Sequence, residues 1–277
     1  MTDGWARKLN KACVSCSNVS KPEALAADAR ETHSLFDFGT LAAGYERWYR
    51  TPAGKTYDRE EKATVLKVLP SLAPGDRLLD VGCGTGHWSR FFASLGFEVI
   101  GIDTSAEMVD VARSHDSPRC RFEIADACRL PFDWASFDVV TAIAALEFIS
   151  DAEAAVAEMF RCTKLNGSVI IGTLNKLAPL NRERVARGEE PYASARLFSP
   201  QQVRALLAQY GRVRMRVSGH QPERRWAEPL RALRRRSLLR GSQRTGVFIV
   251  AGVRSGLTTR RPNEHDTTNS SAATGGG

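Results

Sequence analysis

The 277-residue chain has no apolar run long enough to cross a bilayer. Its longest stretches, such as VVTAIAAL at 139–146, fall far short of the roughly 20 residues a membrane helix needs. The amino-terminal MTDGWARKLNKACVSC also lacks the apolar core of a secretion signal, so the expected compartment is the cytoplasm. Cysteine is sparse. Cys13, Cys16, Cys83, Cys120, Cys128 and Cys162 are scattered, which excludes a dense disulfide scaffold and suits reduced thiols. Cys13 and Cys16 form one C-x-x-C pair, but a closed zinc site wants four ligands. A redox pair would sit at a strand–helix junction, and this pair lies in a polar arm; no metal site is expected. Internal repeats are also missing.

What is present is an ordinary globular composition, 43% apolar and 25% charged, with a net charge of +8. Much of the positive excess lies in PERRWAEPLRALRRRSLLRGSQR at 222–244. Leucines among the arginines make 220–244 a basic amphipathic segment. Its favoured reading is a covering helix with a solvated face, and nucleic acid or an anionic membrane is the alternative partner. Residues 1–33 read as a flexible arm, and the Thr-, Ser- and Gly-rich 255–277 as a disordered tail.

Between these ends, apolar strands alternate with amphipathic helices. Strands are expected at 77–82, 98–103, 120–126, 137–146, 168–174, 212–219 and 246–254, the last antiparallel at the sheet edge. Helices are expected at 58–72, 86–96, 105–115, 151–164 and 199–211. This order means an α/β protein whose mainly parallel sheet is covered on both faces. Such sheets bind ligands beyond the carboxyl ends of their strands.

One such end reads LLDVGCGTGHWSRF, residues 78–91. A glycine turn into a helix lets a ligand approach the main chain and free N–H groups. Dinucleotide sites use Gly-x-Gly-x-x-Gly. Here Gly82, Gly84 and Gly86 are spaced Gly-x-Gly-x-Gly, and His87 stands where the third dinucleotide glycine would be. Asp80, just before the loop, repels a pyrophosphate and suits a ligand with cationic groups. The second strand ends in Asp103, which can accept from both hydroxyls of a ribose. The third ends near Asp126 and Ala127, where an adenine amino group could donate.

The motifs LLDVGCGTG, VIGIDTSAEMVDVAR, IADACRLPF and FDVVTAIAALEFI resemble those of class I S-adenosylmethionine-dependent methyltransferases, nearest the ubiquinone/menaquinone-biosynthesis-like, small-molecule branch. The resemblance covers roughly 34–254, with the motifs at 77–174. It implies a Rossmann-like doubly wound sheet of seven mostly parallel strands with an antiparallel edge strand. It also implies S-adenosylmethionine as methyl donor, with Asp80, Gly82, Gly84 and Gly86 at its methionine part, Asp103 at the ribose and Asp126 with Ala127 at the adenine. Thr104, Met108, Ala144 and Tyr45 would line the same site. Residues 34–72 would form lid helices, their aromatic segment 36–55 closing over the ligands. The segments 175–199 and 220–244 would be substrate-side insertions.

A sulfonium methyl is already electrophilic, so alignment and water exclusion supply much of the rate. A base is needed only where the acceptor must lose a proton. Glu147 and His87 are the candidates, with His220 as a further loop histidine. The expected activity is methyl transfer to a small molecule, with the accepting atom open among O, N, C and S. An RNA methyltransferase is the alternative within the fold, and AALEF after the fourth strand lacks the Asn/Asp-Pro-Pro-aromatic sequence of amino-methylating nucleic-acid enzymes. A non-catalytic S-adenosylmethionine-binding subunit and a nicotinamide oxidoreductase are the other readings. The glycine spacing and Asp80 argue against the oxidoreductase.

Overall fold

The computed structural model describes residues 34–71, 73, 75–219 and 246–256. The expected arm with Cys13 and Cys16, His220, the basic segment to residue 244 and the tail beyond residue 256 lie outside the described residues. The sheet has seven strands: β1 (Arg77–Val81), β2 (Glu98–Asp103), β3 (Cys120–Ile124), β4 (Phe137–Ile143), β5 (Thr163–Leu174), β6 (Arg214–Ser218) and β7 (Phe248–Arg254). Their order is β3-β2-β1-β4-β5-β7-β6. The first five pair in parallel, and β7 runs against both β5 and the outermost β6. The antiparallel pairing therefore lies at one edge of a mostly parallel sheet. Strand order reverses at β1, between β2 and β4. That is where a doubly wound sheet opens a crevice.

Both faces are covered, which explains the apolar runs of the inner strands β1, β4 and β7. Leu79, Val140, Val169, Ile171 and Ile249 point to one side and pack with Val156, Met159 and Phe160 of α5 (Ala152–Cys162) and Val203 and Leu207 of α7 (Pro200–Ala208). The alternate residues Leu78, Val99, Val139, Ile170 and Val250 meet Val65 of α2 (Pro52–Leu66) and Trp88 and Phe92 of α3 (His87–Ser94). The α4 helix (Ala106–Arg113) lies against β3 and β2. Its start is capped by Ser105, whose side chain accepts from Met108 N.

Three elements differ from the sequence expectation. The last strand, expected antiparallel at the sheet edge, is antiparallel but lies inside, between β5 and the edge strand β6. The α2 helix starts at Pro52, not Asp58, because Thr51 Oγ1 accepts from Gly54 N at 3.0 Å and Pro52 fits the first helical turn. It follows α1 (Ala42–Arg50), and the pair forms the aromatic cover. The strand expected at 168–174 starts earlier and carries an irregularity. That strand begins at Thr163, Asn166 has φ 65°, and the register against β4 shifts between Phe137 and Val139. Among the described residues, no helix is long and apolar enough to cross a membrane.

Candidate functional site

The loop after β1 is fastened before any ligand is considered. Cys83 N donates to Ile102 O at 2.8 Å, and Gly84 N donates to Asp103 Oδ2 at 2.9 Å. Asp103 Oδ1 accepts from Ser105 N at 3.0 Å. One carboxylate at the end of β2 thus ties the glycine loop to the start of α4. Burial pushes its pKa up, and the N–H groups of Ser105, Gly84 and Thr104 oppose the shift. Gly82 and Gly84 have φ of 70° and 52°, a region that side-chain-bearing residues adopt at a cost. A Cβ on Gly82 would lie 2.4 Å from Ala145 Cβ, whereas one on Gly84 would meet nothing within 4 Å. The first glycine lets β1 and β4 close on each other, and the second leaves space open.

That space is a cleft lined by Gly82, Gly84, Asp103, Thr104, Met108, Asp126, Ala127 and Ala144, with Phe38, Tyr45 and Phe148 on the other side. The ends of β1, β2, β3 and β4 therefore deliver seven of the sequence-derived residues into one place, and α4 adds Met108. Met108 is both a buried helix residue and part of this wall. Asp126 Oδ1 accepts from Cys128 N at 2.8 Å, which shapes the turn after β3.

Four sequence candidates are not on this wall: Asp80, Gly86, His87 and Glu147. Asp80 is 1% exposed and faces inward. Its oxygens accept from Ser89 Oγ at 2.6 Å and Thr141 Oγ1 at 2.9 Å, so it joins α3 and β4 to β1. Burial pushes its pKa up to about 6 against those two donors. Gly86 caps α3, where a Cβ would lie 2.8 Å from the Phe122 ring; that glycine serves packing. His87 stacks on Tyr49 with ring centroids 3.7 Å apart, and its Nε2 lies 2.7 Å from Asp58 Oδ1 and 3.0 Å from Lys62 Nζ. It anchors the cover and lines neither cavity.

The cover is also held at Glu46 of α1. Its carboxylate pairs with Arg90 of α3, accepts from Thr85 Oγ1 at 3.2 Å and lies 3.3 Å from His115 Nε2. Arg90 Nη1 donates in turn to Thr85 O of the glycine loop at 2.8 Å. These Arg90 and His115 contacts hold Glu46 below the usual carboxylate range, against the burial that raises it.

A second, larger cavity of about 600 Å³ opens beside the first, within the range of small-molecule sites. Tyr45, Ala144 and Phe148 line both. Ala144 has φ 53°, a strained value for alanine, at the junction. Tyr49, Trp48 and Tyr57 come from the cover, and Arg184 and Tyr192 from the 175–199 segment, which carries α6 (Pro179–Ala186). Glu147 also lines this cavity and is fully buried. It accepts from Thr173 Oγ1 at 2.8 Å and Leu174 N at 3.2 Å, and its main-chain oxygen accepts from Arg196 N at 2.7 Å. Burial pushes its pKa up to about 7. Its contacts fix the end of β5 and the segment ahead of α7. Sequence reasoning missed Glu61 of α2, which also lines this cavity. The available signal was its place one helical turn after Tyr57.

Residues 79–171 match the profile of a family described as a methyltransferase domain. Among curated relatives, malonyl-[acyl-carrier protein] O-methyltransferase of Serratia marcescens is 35% identical over 106 residues, 38% of this chain and 41% of the relative. Demethylmenaquinone methyltransferase of Renibacterium salmoninarum is 39% identical over 98 residues, 35% of this chain and 41% of the relative. The matched stretch thus spans about two-fifths of those relatives' length. Among solved structures, a SAM-dependent methyltransferase of Thermotoga maritima, described as a possible histamine N-methyltransferase, superposes with a TM-score of 0.61 at 22% identity. It covers 78% of this chain and 96% of its own. The fold is that of Rossmann-like methyltransferases.

Proposed function

We propose that this chain is an S-adenosylmethionine-dependent methyltransferase acting on a small molecule in the cytoplasm. The observation that carries the reading is the convergence of Gly84, Asp103 and Asp126, from three successive strand ends, on one cleft. The cleft fits the donor by shape and by chemistry. The open space beside Gly84 admits a group close to the main chain. Asp103, with each oxygen holding one backbone N–H, keeps acceptor capacity for a ribose diol. Asp126 and Ala127 would border the adenine, and Thr104 and Met108 would line the adenosine. Gly82 and Ala144 would sit at the methionine end, with Asp80 and Gly86 shaping the loop from behind.

When bound, S-adenosylmethionine supplies an electrophilic methyl group. The chain's own residues then have two tasks. Tyr45, Phe38 and Phe148 exclude water over the cleft, and the second cavity presents the acceptor at the junction lined by Ala144 and Tyr45. Alignment in a dry site is the main lever on such a displacement. Residues 34–72 act as the cover and 175–199 as a substrate-side wall in this reading, with 34–254 as the functional domain.

Calorimetric titration with S-adenosylmethionine, S-adenosylhomocysteine and NADH tests the proposal. Micromolar binding of the two sulfur nucleosides without NADH is expected. Binding of NADH alone would overturn it.

A further inference from the structure

The second cavity holds a carboxyl with no assigned task. Glu61 of α2 lines it, half-buried, and no hydrogen bond or ion pair engages that carboxyl among the described residues. It is placed among tyrosines: Tyr45 and Tyr49 of α1 and Tyr192 after α6 all feel its charge. Glu147 faces it from the end of β4, and Asp58 and Glu60 from its own helix. Asp58 is already paired with His87 and Lys62. Arg184 is the cation facing Glu61, and its guanidinium lies 4.4 Å from the Tyr192 ring centre. Arg47 and Glu190 line the cavity as well, so three carboxyls stand against two guanidiniums and the lining is short of positive charge.

A ligand entering here meets aromatic faces and an acid. An anion would face Glu61 and Glu147 together. A neutral alcohol would give an ionised Glu61 no directly paired cation. An ammonium group meets both needs, because aromatic faces attract cations and the carboxyl pairs with one. We propose that the cavity takes a primary or secondary amine, held as its ammonium by Glu61 beside Tyr45, Tyr49 and Tyr192, and that Glu61 accepts its proton. The inference rests on the reading of the first cleft as the methyl-donor site.

The proton step balances within the pair. One N–H bond breaks, its electron pair stays on nitrogen, and the proton passes to a Glu61 carboxylate oxygen. Ammonium and carboxylate become neutral amine and carboxylic acid, and the nitrogen lone pair is released near the junction with the first cleft. Burial, followed by Asp58, Glu147 and Glu60, pushes the Glu61 pKa up to about 8. A carboxyl raised so far is a stronger proton acceptor than an ordinary glutamate.

The test is calorimetric titration of the full chain, saturated with S-adenosylhomocysteine, with three probes of one shape: 2-phenylethylamine, 2-phenylethanol and 3-phenylpropionate. The amine is expected to bind at least about tenfold tighter than either counterpart. Its affinity should strengthen from one pH unit below the Glu61 pKa to one above, as the carboxyl ionises while the amine stays charged. In Glu61→Gln the preference should collapse while S-adenosylhomocysteine affinity is kept. Equal binding of the three probes, failure of the amine to bind, or a preference that survives Glu61→Gln overturns the proposal. In the native chain, preference and pH profile decide the matter without the variant. Loss of S-adenosylhomocysteine binding by the native chain would instead overturn the reading of the first cleft.

Discussion

Asp103→Ala separates two tasks that one carboxylate performs. In the native chain each of its oxygens holds one backbone N–H, from Gly84 at 2.9 Å and from Ser105 at 3.0 Å. If its remaining acceptor capacity binds a ribose diol, truncation removes two charge-assisted hydrogen bonds from the complex. At about 1.5 kcal/mol each, the lower end of the range for charged acceptors, the loss is about 3 kcal/mol, on the order of a hundredfold in affinity. The folded state also loses the acceptors of two N–H groups. Water in the cleft replaces part of that, so a cost of about 1 kcal/mol is expected, or roughly 2–4 °C in melting temperature for a domain of this size. Asp103→Asn should fall between, because its NH2 must face one of the two backbone donors. The assay is calorimetric titration with S-adenosylhomocysteine, with thermal melts as the control for folding. A folded Asp103→Ala protein that binds within about threefold of native would refute the ribose assignment and leave Asp103 as a loop tie alone.

Gly84→Ala places a methyl in open cleft space at φ 52°. Stability should drop by about 1–2 kcal/mol, while S-adenosylhomocysteine affinity falls at least tenfold, by about 1.4 kcal/mol or more; melts and titration check both. His87→Gln removes the stack under Tyr49 and the Asp58 contact. It should cost about 1 kcal/mol in denaturant unfolding and leave nucleoside binding unchanged. Buried Asp80 and Glu147 hold their protons up to about 6 and about 7, above their unfolded values. Their contribution is therefore full below the ordinary carboxylate range and fades as pH rises through those values. Asp58 and Glu46 are shifted the other way and lose their contribution only at lower pH. Unfolding free energy should thus fall by at least about 1 kcal/mol between about pH 5 and pH 8, and a rise over that window would refute the inward placement of both acids.

The inner strands were legible as apolar runs stopped by glycine or a charged residue, whereas the edge strands β3 and β6 showed as short alternations of polar and apolar residues. The glycine loop, Asp103 and Asp126 were legible because a strand end fixes where its last side chain goes. Other roles depended on partners far along the chain. Asp80 looked like a ligand group from its place before the loop. It turns inward because β4 pairs with β1 and sets Thr141 beside it, which local sequence does not encode. Glu61 was hidden in the run DREEK, where it is one charge among several at the start of the helix expected at 58–72. Its enclosure is made by Tyr192 and Arg184, more than a hundred residues later.

Tyr45 is a wall common to both chambers, and a shared wall makes their occupancies a thermodynamic cycle. Any factor by which the donor changes acceptor affinity, the acceptor must return on the donor. Seating one guest against Tyr45 also restrains the ring that the other must meet, so the entropy of fixing that side chain is charged to whichever arrives first. Binding order then becomes a property of one phenol ring and the Glu46 contacts that anchor its helix.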